Sequence, residues 1–204
     1  MVIVPIKPPQ IAKSRLESTK RRVTTAELAR AFAKDVVAVA TQVASVVGVV
    51  AVTSDSSLAR ELRSSGATVL AEPVRLTGDL NAVLEFAQAE VLVQHPNCGI
   101  AIVTADLATI QPQSLANLLD SASRSKIGYV ADHRGSGTSL LLNRSGHSVT
   151  PAFGLESASA HRARDFGDLT EFADDSLRLD IDTPDDLERA IAVGLGPAAR
   201  RLVT

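Results

Sequence analysis

The chain has 204 residues, 45% of them hydrophobic, so one domain with a full-sized core is expected over residues 1–204. Aromatic residues are only 3% and Trp is absent, which leaves Val, Leu, Ile and Ala to fill that core. A net charge of −2, with basic residues scattered and lacking aromatic partners, argues against nucleic acid as a partner, and the lone Cys98 excludes a disulfide framework and a Cys-based zinc site.

A strand pattern begins at Val2, leaving no room for a signal peptide, and no apolar run approaches the roughly 20 residues of a membrane span. A soluble, cytoplasmic protein is therefore expected. Residues 2–6 read as a short strand ending at Lys7, and residues 24–44, rich in Ala and Val, as a long helix. Residues 46–52 are a β-branched buried strand, followed by a helix over 56–65 that Gly66 ends. A short strand at 68–71 precedes a helix over 79–94, which His95-Pro96 terminates. A second buried strand spans 99–104 and a helix 113–123, while strands at 127–131 and 139–143 flank a glycine-rich loop. Leu177, Leu179 and Ile181 mark a last short strand. Beyond it, Thr183, Pro184 and Asp186 form the N-terminal signature of a helix running to about Gly194, with Asp185 and Asp186 complementing its positive end. The alternation predicts an α/β sandwich with a largely parallel sheet whose middle strands are covered on both faces.

Asp180 and Asp182 are the most informative pair. Side chains two apart on a strand share a face, so both carboxylates point one way while Ile181 turns inward. Like charges roughly 6–7 Å apart on a half-buried face repel, and a divalent cation would give a reason for placing them there. A solvated strand end is the alternative. Asp106 ends the buried run Ile102-Val103-Thr104-Ala105, where ligands of such sheets bind. It reads either as a helix cap or an Asx turn, or as a third ligand beside Asp180 and Asp182. Three carboxylates without Cys suit Mg2+ or Mn2+ better than zinc.

Two clusters point to anions. Lys7, Lys13 and Arg15 follow the first strand and can neutralise a triphosphate, unless they are simply a solvated loop. The segment Asp132-His133-Arg134-Gly135-Ser136-Gly137-Thr138-Ser139 and the later Phe153-Gly154-Leu155-Glu156-Ser157, with His161 beyond, supply glycines and hydroxyls for an anion, or else form hairpin turns.

Taken in order, Pro-Ile-Lys, Ala-Lys-Ser-Arg-Leu, Asp106-Leu107, Gly-Thr-Ser, Phe-Gly-x-x-Ser-x-x-x-His and Asp-x-Asp-Thr-Pro-Asp-Asp-Leu resemble a known family over nearly the whole chain. It is the 2-phospho-L-lactate and phosphoenolpyruvate guanylyltransferase family of deazaflavin coenzyme F-420 biosynthesis. The resemblance implies a nucleotide-diphospho-sugar-transferase-like, Rossmann-like three-layer α/β sandwich with a mixed, mostly parallel seven-stranded sheet, and transfer of GMP from GTP to a phosphorylated three-carbon acid, with pyrophosphate released. It implies Asp106, Asp180 and Asp182 as metal ligands, joined by Lys13 as catalytic residues. Thr138, Gly154 and Ser157 would bind the acid, and Lys7, Lys13, Arg15 and Asn81 the nucleotide. It is compatible with a homodimer. In this chain Glu156 and Asp79 stand where the family usually has glycine. The site residues alone leave room for another nucleotidyltransferase of this fold, acting on molybdopterin or a sugar phosphate, or for a non-catalytic nucleotide-binding paralogue.

Overall fold

Alternating apolar residues decide which face of the central sheet each side chain joins. The computed structural model describes residues 1–7, 23–121 and 125–204. Strands β1 (Val2–Pro5), β2 (Val49–Thr53), β3 (Thr68–Ala71), β4 (Ile100–Val103), β5 (Ile127–Ala131), β6 (Thr138–Asn143) and β7 (Gly167–Asp168) form one sheet in the order β3-β2-β1-β4-β6-β5-β7. Only β6 is antiparallel, to β4 on one side and β5 on the other. The mixed, mostly parallel sheet expected from the sequence is therefore what forms.

Val2, Val4, Val49, Ala51, Ala101 and Val103 point to one face, beneath α1 (Thr25–Gln42), α2 (Ser56–Ser64) and α4 (Pro112–Ser121). Their neighbours Ile3, Val50, Val52, Ile100 and Ile102 point to the other, beneath α3 (Leu80–Gln94). Each fully buried aliphatic side chain contributes roughly 1.5–3 kcal/mol, which explains why the central strands are apolar on both sides. The buried strand expected over residues 46–52 begins only at Val49, because Val46 sits in a turn and Val47 is exposed. The sequence pattern did not single out α5 (Ser157–Arg162), β7 or α7 (Pro197–Val203), all short.

The chain runs β1, β2, β3 toward one edge, then crosses through α3 to place β4 on the other side of β1. This reversal opens a crevice at the carboxyl ends of β1 and β4, the usual ligand position in such sheets. The antiparallel β6 has a further consequence: its first residue, Thr138, lies at that same edge.

One expected strand is absent. Asp175–Leu177 is a 3-10 turn that begins where Asp174 accepts a bond from Ser176 N, and residues 179–182 pair with no strand. The alternation still holds: Leu177, Leu179 and Ile181 are buried while Asp180 and Asp182 face the other way. The segment is pinned by single bonds, from Ser139 Oγ to Leu177 O (2.7 Å) and from Ile181 N to Asp106 O (3.3 Å). Such contacts hold an extended segment in place without a ladder. The helix after it, α6 (Pro184–Val193), starts with the expected capping box between Thr183 and Asp186.

Two buried polar side chains fix the periphery. Asp35 of α1 accepts from Ala198 N and Ala199 N, both at 2.8 Å, and so caps α7. On the other side His161 is enclosed by Tyr129, Phe153 and Phe166, with ring centroids 5.4–5.7 Å away. Burial, with the nearby Arg164 charge, lowers its pKa to about 4.

Asp35→Ala should destabilise the protein by about 2 kcal/mol, the worth of hydrogen bonds to a charged group, and expose α7 first. Urea denaturation combined with hydrogen exchange over residues 197–203 measures both effects. For His161 the unfolded chain takes up a proton near pH 6.5 and the folded protein only near pH 4, so stability is present above 6.5 and lost as pH falls through that window. The loss amounts to as much as about 3 kcal/mol, and His161→Gln should flatten the dependence in thermal melts from pH 7 to pH 4.5.

Candidate active site

Lys7 extends from the end of β1 and Asp106 from the turn after β4, so the two flank the crevice between these strands. They line one cavity of about 160 Å³ together with Thr104, Leu80 and Asp182. Asp106 does not cap the next helix, which begins only at Pro112. Lys13 and Arg15 lie outside the described residues.

Asp180 sits beside this cavity and accepts from or donates to His133 Nδ1 at 3.0 Å. Its carboxyl is pushed up to about 6, first by burial and then by the negative charges of Asp106, Asp182 and Asp132; the His133 bond opposes the shift. The acidic group thus contains a fourth carboxylate, Asp132. It is buried, accepts from Ser136 N at 3.0 Å, and packs against Gly137 so closely that a Cβ there would collide with it. Asp132 directly follows the buried strand β5, just as Asp106 follows β4. That shared placement was visible in the sequence and could have flagged it.

His133 and Arg134 hold the rim together. His133 Nε2 lies 3.3 Å from Asp186 Oδ1, and Arg134 donates to both Asp186 oxygens at 2.7 and 2.8 Å. Asp186, expected as a capping residue, therefore caps α6 and anchors two cations of the β5–β6 loop. Arg178 donates to the carbonyls of Ala131 and Asp132, fastening the segment that carries Asp180 to the end of β5. Among the described residues no three His, Cys, Asp or Glu side chains stand together as a ready metal site, so the carboxylates form an open acidic rim.

A second cluster surrounds Thr138. Its hydroxyl lies 3.0 Å from His161 Nδ1, and His161 Nε2 accepts from Ala152 N at 3.0 Å. A neutral imidazole that accepts at Nε2 carries its proton on Nδ1 and donates it to Thr138 Oγ1. The Thr138 proton then remains to be donated elsewhere. Ser157 is buried at the start of α5, and Gly154 takes a φ of +139° that side chains disfavour. Asn81 donates to Phe153 O at 3.0 Å and accepts from Phe153 N at 2.8 Å, so most of its amide braces this loop.

Both departures from the family pattern have local explanations. Asp79 caps α3 by accepting from Ala82 N, a position that favours Asp and tolerates Gly. Glu156 adopts a left-handed conformation, φ 54°, which is the conformation glycine takes without cost. Its side chain is exposed, while Arg162 pairs with Asp168 and Arg164 with the carbonyls of Thr150 and Pro151.

The chain is similar to proteins of known family and fold. A Streptomyces scabiei protein named phosphoenolpyruvate guanylyltransferase is 41% identical, over 99% of this chain and 96% of its own length. The fold is similar to that of a Desulfovibrio desulfuricans protein assigned as a nucleotide-diphospho-sugar transferase, with a TM-score of 0.67, 15% identity, and coverage of 91% of this chain and 83% of the other. It is also similar to a Mycobacterium tuberculosis protein crystallised with manganese, with a TM-score of 0.50, 20% identity, and coverage of 94% and 96%. Residues 1–203 match the family described as guanylyl transferase CofC like, and the chain belongs to that family of guanylyltransferases.

Proposed function

We propose that the protein transfers GMP from GTP to the phosphate of phosphoenolpyruvate, with 2-phospho-L-lactate as the next candidate, and releases pyrophosphate in coenzyme F-420 biosynthesis. The observation that carries this reading is the acidic rim at the β1–β4 crevice, beside Lys7. Asp180, with its carboxyl raised to about 6 by burial and by three neighbouring carboxylates, is strained by charge that a cation would relieve. The donors are all carboxylate oxygens, which suits Mg2+ or Mn2+. Their open arrangement suits an ion that keeps waters and takes one or two carboxylates plus substrate phosphates. Asp106, Asp180 and Asp182 would hold it, and it would supply positive charge against the phosphates during transfer. The fold relative crystallised with manganese is in keeping with a divalent ion here.

The remaining chemistry asks for positioning. A phosphate oxygen of the acceptor attacks the α-phosphorus of GTP, the new P–O bond forms in line with the one that breaks, and the bond electrons leave with pyrophosphate. That oxygen is already ionised at neutral pH, so no side chain need remove a proton. Lys7 offsets charge on the nucleotide phosphates, and Lys13 and Arg15 are assigned the same role. Thr138, with its hydroxyl oxygen engaged by His161, directs its proton toward the acceptor. Ser157 and Gly154 complete that side. The outward Glu156 leaves the acceptor free of a facing carboxylate, which removes the main ground for a non-catalytic paralogue. Residues 1–204 act as one guanylyltransferase domain.

Asp182→Asn should keep the fold and lower turnover a hundredfold or more, on the order of 3 kcal/mol of transition-state stabilisation. Pyrophosphate release with GTP, Mg2+ and phosphoenolpyruvate measures it, and near-normal turnover would remove Asp182 from the metal set. Thr138→Val should raise the acceptor KM about ten- to a hundredfold while leaving GTP affinity unchanged, since a hydrogen bond to a charged group is worth roughly 1.5–3 kcal/mol. A loss of GTP binding with acceptor use intact would reverse the assignment of the two sides.

A further inference from the structure

The acid-lined cavity continues into a second one of about 160 Å³ that shares Pro5, Ile6, Lys7 and Leu80 with it. This second space lies over the ends of β1 and β2 and reaches the residue after β3, Glu72. Its walls include Val52, Leu80 and Val83, and Glu72 is its one carboxylate among the described residues. The space takes a flat ring rather than a whole nucleotide, and apolar walls suit the faces of an aromatic base. Among the described residues the half-buried Glu72 side chain makes no hydrogen bond or ion pair, while its backbone N–H is tied to Thr53 O at 3.4 Å.

A carboxylate at the end of an apolar slot selects for a ring edge with two adjacent donors. Guanine presents N1–H and the N2 amino group side by side, which two carboxylate oxygens accept together. Adenine and cytosine present a ring-nitrogen lone pair at the corresponding place, which a carboxylate repels. We propose that this cavity is the base subsite and that Glu72 selects GTP by accepting from guanine N1–H and N2–H. The inference rests on the guanylyltransferase reading and adds to it the residue that chooses the nucleotide.

Isothermal titration of GTP, ITP and ATP onto the full chain, with Mg2+ and without acceptor, tests this. ITP lacks only the N2 amino group. The wild type should bind GTP at least tenfold more tightly than ITP, and ATP more weakly still. Glu72→Ala should weaken GTP tenfold or more and bring the GTP-to-ITP ratio below about threefold. Glu72→Gln, which keeps one acceptor, should fall between them. A variant that retains the wild-type ratio overturns the assignment of Glu72. Should the variants melt early, equal binding of ITP and GTP by the wild type overturns it as well. GTP binding that ignores Glu72 leaves the transfer reaction standing, whereas no GTP binding by the wild type sinks both readings.

Discussion

Mutual repulsion among carboxylates gathered at the end of a buried sheet is the constraint that most of the surrounding structure answers. Asp106, Asp132, Asp180 and Asp182 stand close enough that the ends of β4 and β5 and the segment after residue 177 must be held against one another. A carboxyl raised from its usual value to about 6 reports a cost on the order of 3 kcal/mol. Burying one or two aliphatic side chains offsets a cost of that size, and the sheet buries dozens. The strain is therefore affordable locally only because the scaffold beneath it is rigid and apolar. His133, Arg134 and Arg178 then supply the specific bonds that stop the rim from opening.

Strand direction explains how the two halves of the site meet. In an all-parallel sheet each strand contributes its last residues to the ligand edge. Because β6 runs the other way, it contributes its first residue, Thr138, directly beside the loop that carries Asp132 and His133. The glycine-rich turn before it brings Gly137 against Asp132, a contact that any Cβ would break. One short connection thus joins the acidic rim to the Thr138 cluster. Asn81 performs a comparable linkage from the opposite layer, since the helix that begins beside the cavity lined by Lys7 and Leu80 clamps the Phe153-Gly154 loop through both ends of one amide.

Buried polar groups here act mainly through a second group. His161 does not face solvent, and its neutral form is secured by the aromatic rings around it and by Arg164. What it transmits is a direction for the Thr138 hydroxyl. Asp186 similarly acts on the site through His133, Arg134 and the backbone N–H of Asp182 while it caps α6. Glu156 shows the opposite situation, a residue that tolerates a left-handed backbone at a cost of about 1–2 kcal/mol so that the first turn of α5 can start where it does.

Much of this was legible in the sequence because it depends on local rules. Continuous apolar runs marked the buried strands, Thr183-Pro184 with Asp186 marked a helix start, and Asp106 at the end of such a run marked the ligand edge. The shared facing of Asp180 and Asp182 followed from alternation alone, although the ladder expected with it did not form, since pairing depends on a neighbour and on register. Resemblance to a family brought the acceptor-side residues and the chemistry. Tertiary structure alone decided the rest: that β6 reverses, that His133 bridges Asp180 and Asp186, and that Glu72 ends a cavity continuous with the acids. These are contacts between segments distant in the chain, and local propensity carries no information about which distant segments meet.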